Sequence, residues 1–213
     1  VQMNFTLQDV AGRIPQLRWQ NAQQDNPLIL TLAHDSRKVE PVTLFVCIPG
    51  ATVDGHDFAE AAVQKGAVAV LAERPLPVSL PVPVLLTPDV RKAVELISAW
   101  FFAEPARRLR MIGVTGTNGK TTTTHIIRDI FNRAGRPCCV IGTLHTLIGD
   151  QVVPVKNTTP DVLDLQSSLA AMVAGGMSAV AMEVSSHALA LGRVAGCEFD
   201  AAVFTNMTQD HLD

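Results

Sequence analysis

No stretch of this 213-residue sequence approaches the roughly 20 consecutive apolar residues that a bilayer-spanning helix requires, so membrane insertion is not expected. The opening VQMNFTLQDV lacks the pattern of a secretory signal, and the expected location is cytoplasmic. Charge is scarce, at 17% Asp, Glu, Lys and Arg with a net charge of -3. The one basic cluster, Arg107-Arg108-Leu109-Arg110, is too short to suggest nucleic acid and reads as a solvated connector. Cysteine is sparse too. Cys47, Cys138, Cys139 and Cys197 show no metal-ligand spacing, and the adjacent pair falls in an apparent strand, where successive side chains face opposite ways. Buried free thiols are expected.

What is abundant is apolar residue, 47% of the chain, enough for a substantial core in one large domain or two small ones. Strand and helix alternate in two blocks. In the first, PLILTLAHDSR, TLFVCIPG and AVAVLAE read as strands, with DFAEAAVQKG as a helix stopped by glycine. VPVLLT follows a proline-rich crossover and is expected at a sheet edge. TPDVRKAVELISAWFF reads as a helix with Thr87 as N-cap and Pro88 at its first position, closing a domain over 1–106.

The second block, 107–213, starts with strand RMIGVTG and a helix from Gly119 to Ala134 whose apolar stripe is Ile126, Ile127, Ile130 and Phe131. PCCVIGT, a hairpin turning at Gly149-Asp150, a helix from NTTPD to the glycines at 175–176, and strands MSAVAMEVS and FDAAVFTNM follow. The fold class expected is α/β: a small N-terminal α/β domain, then a truncated P-loop-type, mostly parallel central sheet with flanking helices. The sequence stops at TQDHLD, where open α/β sheets place ligands, so truncation is expected.

The chemistry begins at GVTGTNGKTTTTHII. A glycine-rich turn between strand and helix directs several unpaired N–H groups and the positive end of a helix dipole at one point, which suits a polyphosphate. Gly116, Thr117, Asn118, Gly119, Lys120, Thr121 and Thr122 are the candidate cradle for ATP. Lys120 is suited to the phosphates and Thr121 to Mg²⁺, although Val114 stands where the general G-x-x-x-x-G-K-[ST] pattern has glycine. Glu183, a lone carboxylate closing the apolar run of Ala179 to Met182 in SAVAMEVSSH, is the candidate metal acid. In NTTPD, Pro160 at a first helical position makes Thr159 the N-cap, with Asn157 and Thr158 just outside it.

GTNGKTT and MEVSSHAL together resemble the Mur ligases, ATP-dependent amide-forming enzymes of peptidoglycan precursor synthesis. HDSRKVEPVTLFVCIPGATVDGHDF, NTTPD and FTNMTQDHLD extend the resemblance over nearly the whole chain, in the branch that adds a diamino acid to UDP-N-acetylmuramoyl-L-alanyl-D-glutamate. The resemblance implies ATP, Mg²⁺, that UDP-sugar dipeptide and a diamino acid (diaminopimelate or L-lysine) as ligands. It implies catalytic roles for Lys120, Glu183 and His211, and metal contacts from Thr121, Glu183 and His211. Uridine would be held by His34 through its main chain, by Ser36, and by Ala51, Thr52 and Val53; the muramoyl-peptide would lie on Asn157, Thr158, Thr159, Ser185 and Arg193. Leu191 departs from relatives that carry a polar contact there. Asp35 and Arg37 are equally open to pairing with each other or with a neighbouring loop.

The resemblance also implies a metal-binding carbamylated lysine and an amino-acid pocket outside this sequence, so the chain is expected to be an inactive fragment of a monomeric parent. A sheet cut short is open to self-association. The D-alanyl-D-alanine-adding ligase, folylpolyglutamate synthase and a nucleotide-binding module without chemistry stay open as alternatives.

Overall fold

The computed structural model describes residues 4–21, 25–50 and 53–208. The chain forms two compact units, residues 1–97 and 98–213.

In the first unit, strand β1 (Phe5–Thr6) leads into helix α1 (Leu7–Ala11), whose start is closed by a reciprocal box: Thr6 Oγ1 accepts from the Asp9 N–H, and Asp9 Oδ2 accepts from the Thr6 N–H. Then come β2 (Arg18–Trp19), β3 (Leu28–Ile29), β4 (Thr31–Ala33), β5 (Thr43–Val46), α2 (Ala59–Gln64), β6 (Ala67–Ala72) and β7 (Val84–Leu86). β1 pairs with β3, and the main sheet runs β2-β7-β6-β5-β4, parallel except at β2. All four residues of β5 are buried, Leu44, Phe45 and Val46 forming the apolar run that a parallel sheet covered on both faces requires.

Two expectations are corrected here. β7 is interior, because Pro83 precedes the strand and costs the ladder no N–H, while Arg18 and Trp19 take the edge. Helix α3 (Val90–Phe101) starts later than Thr87: Asp89 Oδ1 accepts from the Lys92 N–H at 2.9 Å and Glu73 Oε1 from the Val90 N–H at 2.9 Å. The Thr87 N–H is drawn instead to the Ala72 carbonyl, continuing the sheet. The division between the units falls inside α3.

The second unit runs β8 (Arg110–Thr115), α4 (Lys120–Arg133), β9 (Cys138–Ile141), β10 (Thr146–Ile148), β11 (Gln151–Val153), α5 (Val162–Ala174), β12 (Ala179–Glu183), α6 (Ser186–Ala190) and β13 (Ala201–Phe204). Its sheet order is β11-β10-β9-β12-β8-β13. β9, β12, β8 and β13 are parallel, and β10 and β11 form the expected hairpin, with Gly149 at φ +60°. The α/β class is borne out.

Alternation sends neighbouring side chains to opposite faces. Met111, Cys139, Ile141, Val180 and Met182 pack with Leu165, Leu169 and Met172 of α5, whereas Ile112, Cys138, Ala179 and Ala181 pack with Ile127 and Phe131 of α4. Each large side chain fully buried this way contributes about 1.5–3 kcal/mol. The apolar stripe of α4 is therefore narrower than expected, and Ile126 and Ile130 are 54% and 60% exposed. All four cysteines are free; burial raises the Cys47 and Cys197 thiols to about 12 and Cys138 to about 11, which keeps them protonated at neutral pH.

Candidate functional site

β8 delivers the chain to a tight loop before α4. Gly116 (φ +126°) and Gly119 (φ +85°) adopt backbone conformations that L side chains disfavour. A Cβ on Gly116 would also stand 2.2 Å from Thr205 Oγ1. Gly119 starts the 14-residue α4 without a capping side chain, leaving the N-terminal N–H groups of the helix for a ligand. Lys120 Nζ donates back to the carbonyls of Gly116 at 2.7 Å and Thr117 at 3.0 Å, so its ammonium lies against the loop, while Thr122 is exposed.

The segment after β13 clasps this loop. Asn206 Oδ1 accepts from the Asn118 N–H at 3.1 Å, and Asn206 Nδ2 and Thr205 Oγ1 donate to the Asn118 carbonyl at 3.0 and 2.7 Å. The Thr117 N–H reaches the Asn206 carbonyl, and Thr117 Oγ1 exchanges bonds with the main chain of Thr208. The amides of Thr117 and Asn118 thus hold the loop's shape.

Glu183 ends β12 opposite Val114 of β8, which fixes it beside the loop, and it is 1% exposed. Its Oε1 accepts from Thr121 Oγ1 at 2.8 Å and from the Thr143 N–H at 3.0 Å; its Oε2 accepts from Thr143 Oγ1 at 3.0 Å. Gly142 makes the room, since a Cβ there would lie 2.2 Å from Oε1. One buried carboxylate, a threonine hydroxyl and an adjacent phosphate cradle make a hard-oxygen set that suits Mg²⁺, which keeps several waters and shares substrate phosphates. Among the described residues no three His, Cys, Asp or Glu side chains converge on a metal. His211 lies outside the described residues.

NTTPD approaches the same acid by a different route from the one expected. α5 starts at Val162 with Asp161 as N-cap, and Pro160 lies before the helix. Thr159 is buried and is no cap: its Oγ1 donates to the Glu183 carbonyl at 2.9 Å and accepts from the Ser185 N–H at 3.2 Å. The Glu183 carbonyl at the end of β12 and the Ser185 N–H just beyond it hold the hydroxyl away from the helix end. Arg193 donates to the Thr159 carbonyl at 3.1 Å and pairs with Asp161 at 3.2 Å. Ser185 Oγ caps α6 by accepting from the Ala188 N–H at 3.1 Å. Thr158 Oγ1 stands 3.1 Å from Thr143 Oγ1, and Asn157 and Leu191 are exposed. Phosphate loop, acid and NTT segment are brought together; Thr143, Thr205 and Asn206 join them without having been singled out in the sequence.

In the first unit, Ala51 and Thr52 lie outside the described residues, and Val53 is 57% exposed. Ser36 opens a 3-10 turn whose N-cap is Asp35, and its carbonyl accepts from Lys65 Nζ at 3.1 Å; His34 is half-buried just before it. Asp35 and Arg37 do pair with each other, at 2.7 Å. Sequence reasoning also passed over His56 in DGHDF. It is buried, its Nδ1 is 2.6 Å from Asp54 Oδ1, and its Nε2 accepts from the Glu73 N–H at 3.1 Å, which anchors the segment that follows Val53. The His56 backbone N–H bond holds the Asp54 carboxyl at about 2.

Two family models match this sequence: the Mur ligase middle domain over residues 114–213, and the Mur ligase family catalytic domain over residues 29–99. The UDP-N-acetylmuramoyl-L-alanyl-D-glutamate--2,6-diaminopimelate ligase of Geobacillus thermodenitrificans is 54% identical over 207 residues, 97% of this chain and 42% of that protein. Its counterpart in Geobacillus kaustophilus is 55% identical over 188 residues, covering 88% of this chain and 38% of its own. A solved structure of a ligase of the same name superposes with a TM-score of 0.77 at 31% identity, over 99% of this chain and 42% of the other. MurF from Acinetobacter baumannii shares the fold, with a TM-score of 0.62 at 23% identity. The chain therefore spans 42% or less of the length of these relatives.

Proposed function

Because this chain belongs to the Mur ligase family, we propose that it carries the acid-activating part of an ATP-dependent amide ligase, one that joins 2,6-diaminopimelate to UDP-N-acetylmuramoyl-L-alanyl-D-glutamate. The observation that supports this most is the pairing of Thr121, in the first turn of α4, with Glu183 at the end of β12, with Thr158 linked to the same carboxylate through Thr143.

A free carboxylate is a poor acyl donor at neutral pH. Transfer of the ATP γ-phosphoryl to the D-glutamate carboxylate forms an acyl phosphate; the amine attacks its carbonyl carbon, and the tetrahedral adduct expels phosphate. Catalysis rests on positioning and charge neutralisation. The α4 N-terminus and Lys120 hold the phosphates, with the Lys120 ammonium leaving its two carbonyl partners to meet them. Thr121 and Glu183 would hold Mg²⁺, which neutralises phosphate charge when bound. His211 is assigned to a second metal contact. Asn157, Thr158, Thr159, Ser185 and Arg193 form the muramoyl-peptide side, and His34, Ser36, Ala51, Thr52 and Val53 the uridine side. On this reading residues 1–106 bind the UDP-sugar and residues 107–213 the ATP, in the cytoplasm. No helix of the described residues is long and apolar enough to cross a membrane.

The test is ligand stabilisation. UDP-N-acetylmuramoyl-L-alanyl-D-glutamate at about 100 times its Kd raises stability by about 2.7 kcal/mol, and its tripeptide product and folate stabilise less. ATP with Mg²⁺ stabilises the wild-type chain, and Lys120→Ala loses that effect. Equal stabilisation by folate, or an ATP effect that survives Lys120→Ala, would defeat the assignment.

A further inference from the structure

We infer that Thr143 is a positioning residue: it orients the Glu183 carboxylate for its divalent cation and joins that acid to the acceptor-side Thr158. This rests on the reading of Thr121 and Glu183 as the cation site. Thr143 bonds both oxygens of one buried carboxylate, through its N–H to Oε1 at 3.0 Å and its hydroxyl to Oε2 at 3.0 Å. Such a two-point grip fixes the plane of the carboxylate, which a single bond from Thr121 leaves free to turn. The same hydroxyl stands 3.1 Å from Thr158 Oγ1. An unbroken line of oxygens thus runs from Thr121 through Glu183 and Thr143 to Thr158, from the helix that follows the phosphate loop to the NTT segment.

Thr143 is exposed and follows Gly142, whose missing side chain lets the strand end press against the acid. It sits between β9 and the β10–β11 hairpin. Partners that orient a metal-binding group commonly change metal affinity by about 10–100-fold when removed.

The experiment measures ADP affinity of the 213-residue chain by calorimetry, with Mg²⁺ and with the metal chelated, in wild type, Thr143→Val, Thr143→Ser and Glu183→Gln. Thr143→Val is expected to lose at least about ten-fold of the Mg²⁺-dependent affinity while metal-free affinity stays the same. Thr143→Ser, which keeps the hydroxyl, restores it. The double variant Thr143→Val/Glu183→Gln binds no more weakly than Glu183→Gln alone, because Thr143 acts through that carboxylate. Thr143→Ala replaces the valine variant if the latter does not melt cooperatively. A wild-type Mg²⁺ response in Thr143→Val beside a lost response in Glu183→Gln overturns the role of Thr143 and leaves the cation site standing, and additive effects in the double variant do the same. No Mg²⁺ response in the wild type, or an unchanged one in Glu183→Gln, brings down the cation site and the role of Thr143 with it.

Discussion

Gly142 lies so close to Glu183 that a methyl group on its α-carbon would stand 2.2 Å from Oε1 and 3.0 Å from the carboxyl carbon. The absence of a side chain at one strand end therefore sets where the acid at the neighbouring strand end can be. Gly142→Ala is expected to push the carboxylate away from Thr121, at an overpacking cost of about 1–3 kcal/mol. Urea unfolding reads that cost, and calorimetry with and without Mg²⁺ reads the loss of the cation-dependent part of nucleotide binding. Full retention of that part in a destabilised variant would show that Glu183 does not need its present position.

Asn206 meets both the N–H and the carbonyl of Asn118, at 3.1 and 3.0 Å. Loss of one such bond is worth about 1–1.5 kcal/mol, or about ten-fold in a local opening equilibrium. Asn206→Ala should therefore speed hydrogen exchange at Asn118 by about ten-fold and weaken ATP binding, with little change at buried strand amides such as Val180. Unchanged exchange at Asn118 would mean that Thr205 and Thr208 hold the loop by themselves.

The Asp54 carboxyl is lowered from 3.8 to about 2, chiefly by the His56 backbone N–H, and Asp200 is lowered by the Met111 N–H. Carboxyls depressed in the folded state contribute stability that is fully present above the unfolded value of about 3.9 and is lost as the pH falls through the folded value. Unfolding of the first unit, followed by Trp19 fluorescence in a Trp100→Phe background, is expected to lose stability from about pH 4 down to about pH 2. Asp54→Asn should flatten that slope. A slope identical in the variant would assign the acid sensitivity to other carboxyls.

β13 ends the six-stranded order, and Ala201, Ala202 and Phe204 are exposed, Phe204 by 62%. A strand with this profile invites pairing between copies. Sedimentation of the chain is expected to show an average mass that rises with concentration, and Phe204→Lys should reduce the rise. A single monomeric species at every concentration would exclude this edge as a contact.

Much of this was legible in the sequence where one physical requirement dominates. Buried parallel strands are apolar on both faces, so LFV, AVAVLA and AVAM announce themselves. The glycines at 116 and 119 announce a loop that side chains would obstruct. Helix starts were read less well because capping is a competition. Thr159 has the right chemistry for a cap, but the Glu183 carbonyl and the Ser185 N–H claim its hydroxyl, and Asp161 takes the position. Thr143 was missed for a related reason: its partner is 40 residues away, and only the packing of two strand ends makes them neighbours. A small residue directly before it, at the close of a buried strand, was the one available signal.

The strand order carries a further consequence, for the sequence of events in folding. β8 pairs with β12 on one side and β13 on the other, so each flank of the loop is supplied from a later part of the chain: Glu183 at the end of β12, Thr205 and Asn206 directly after β13. The clasp on Asn118 closes a separation of 88 residues, the kind of contact that chain entropy postpones. The clasp on this loop is thus expected to form late in assembly, and hydrogen exchange at Asn118 followed during refolding would read that order.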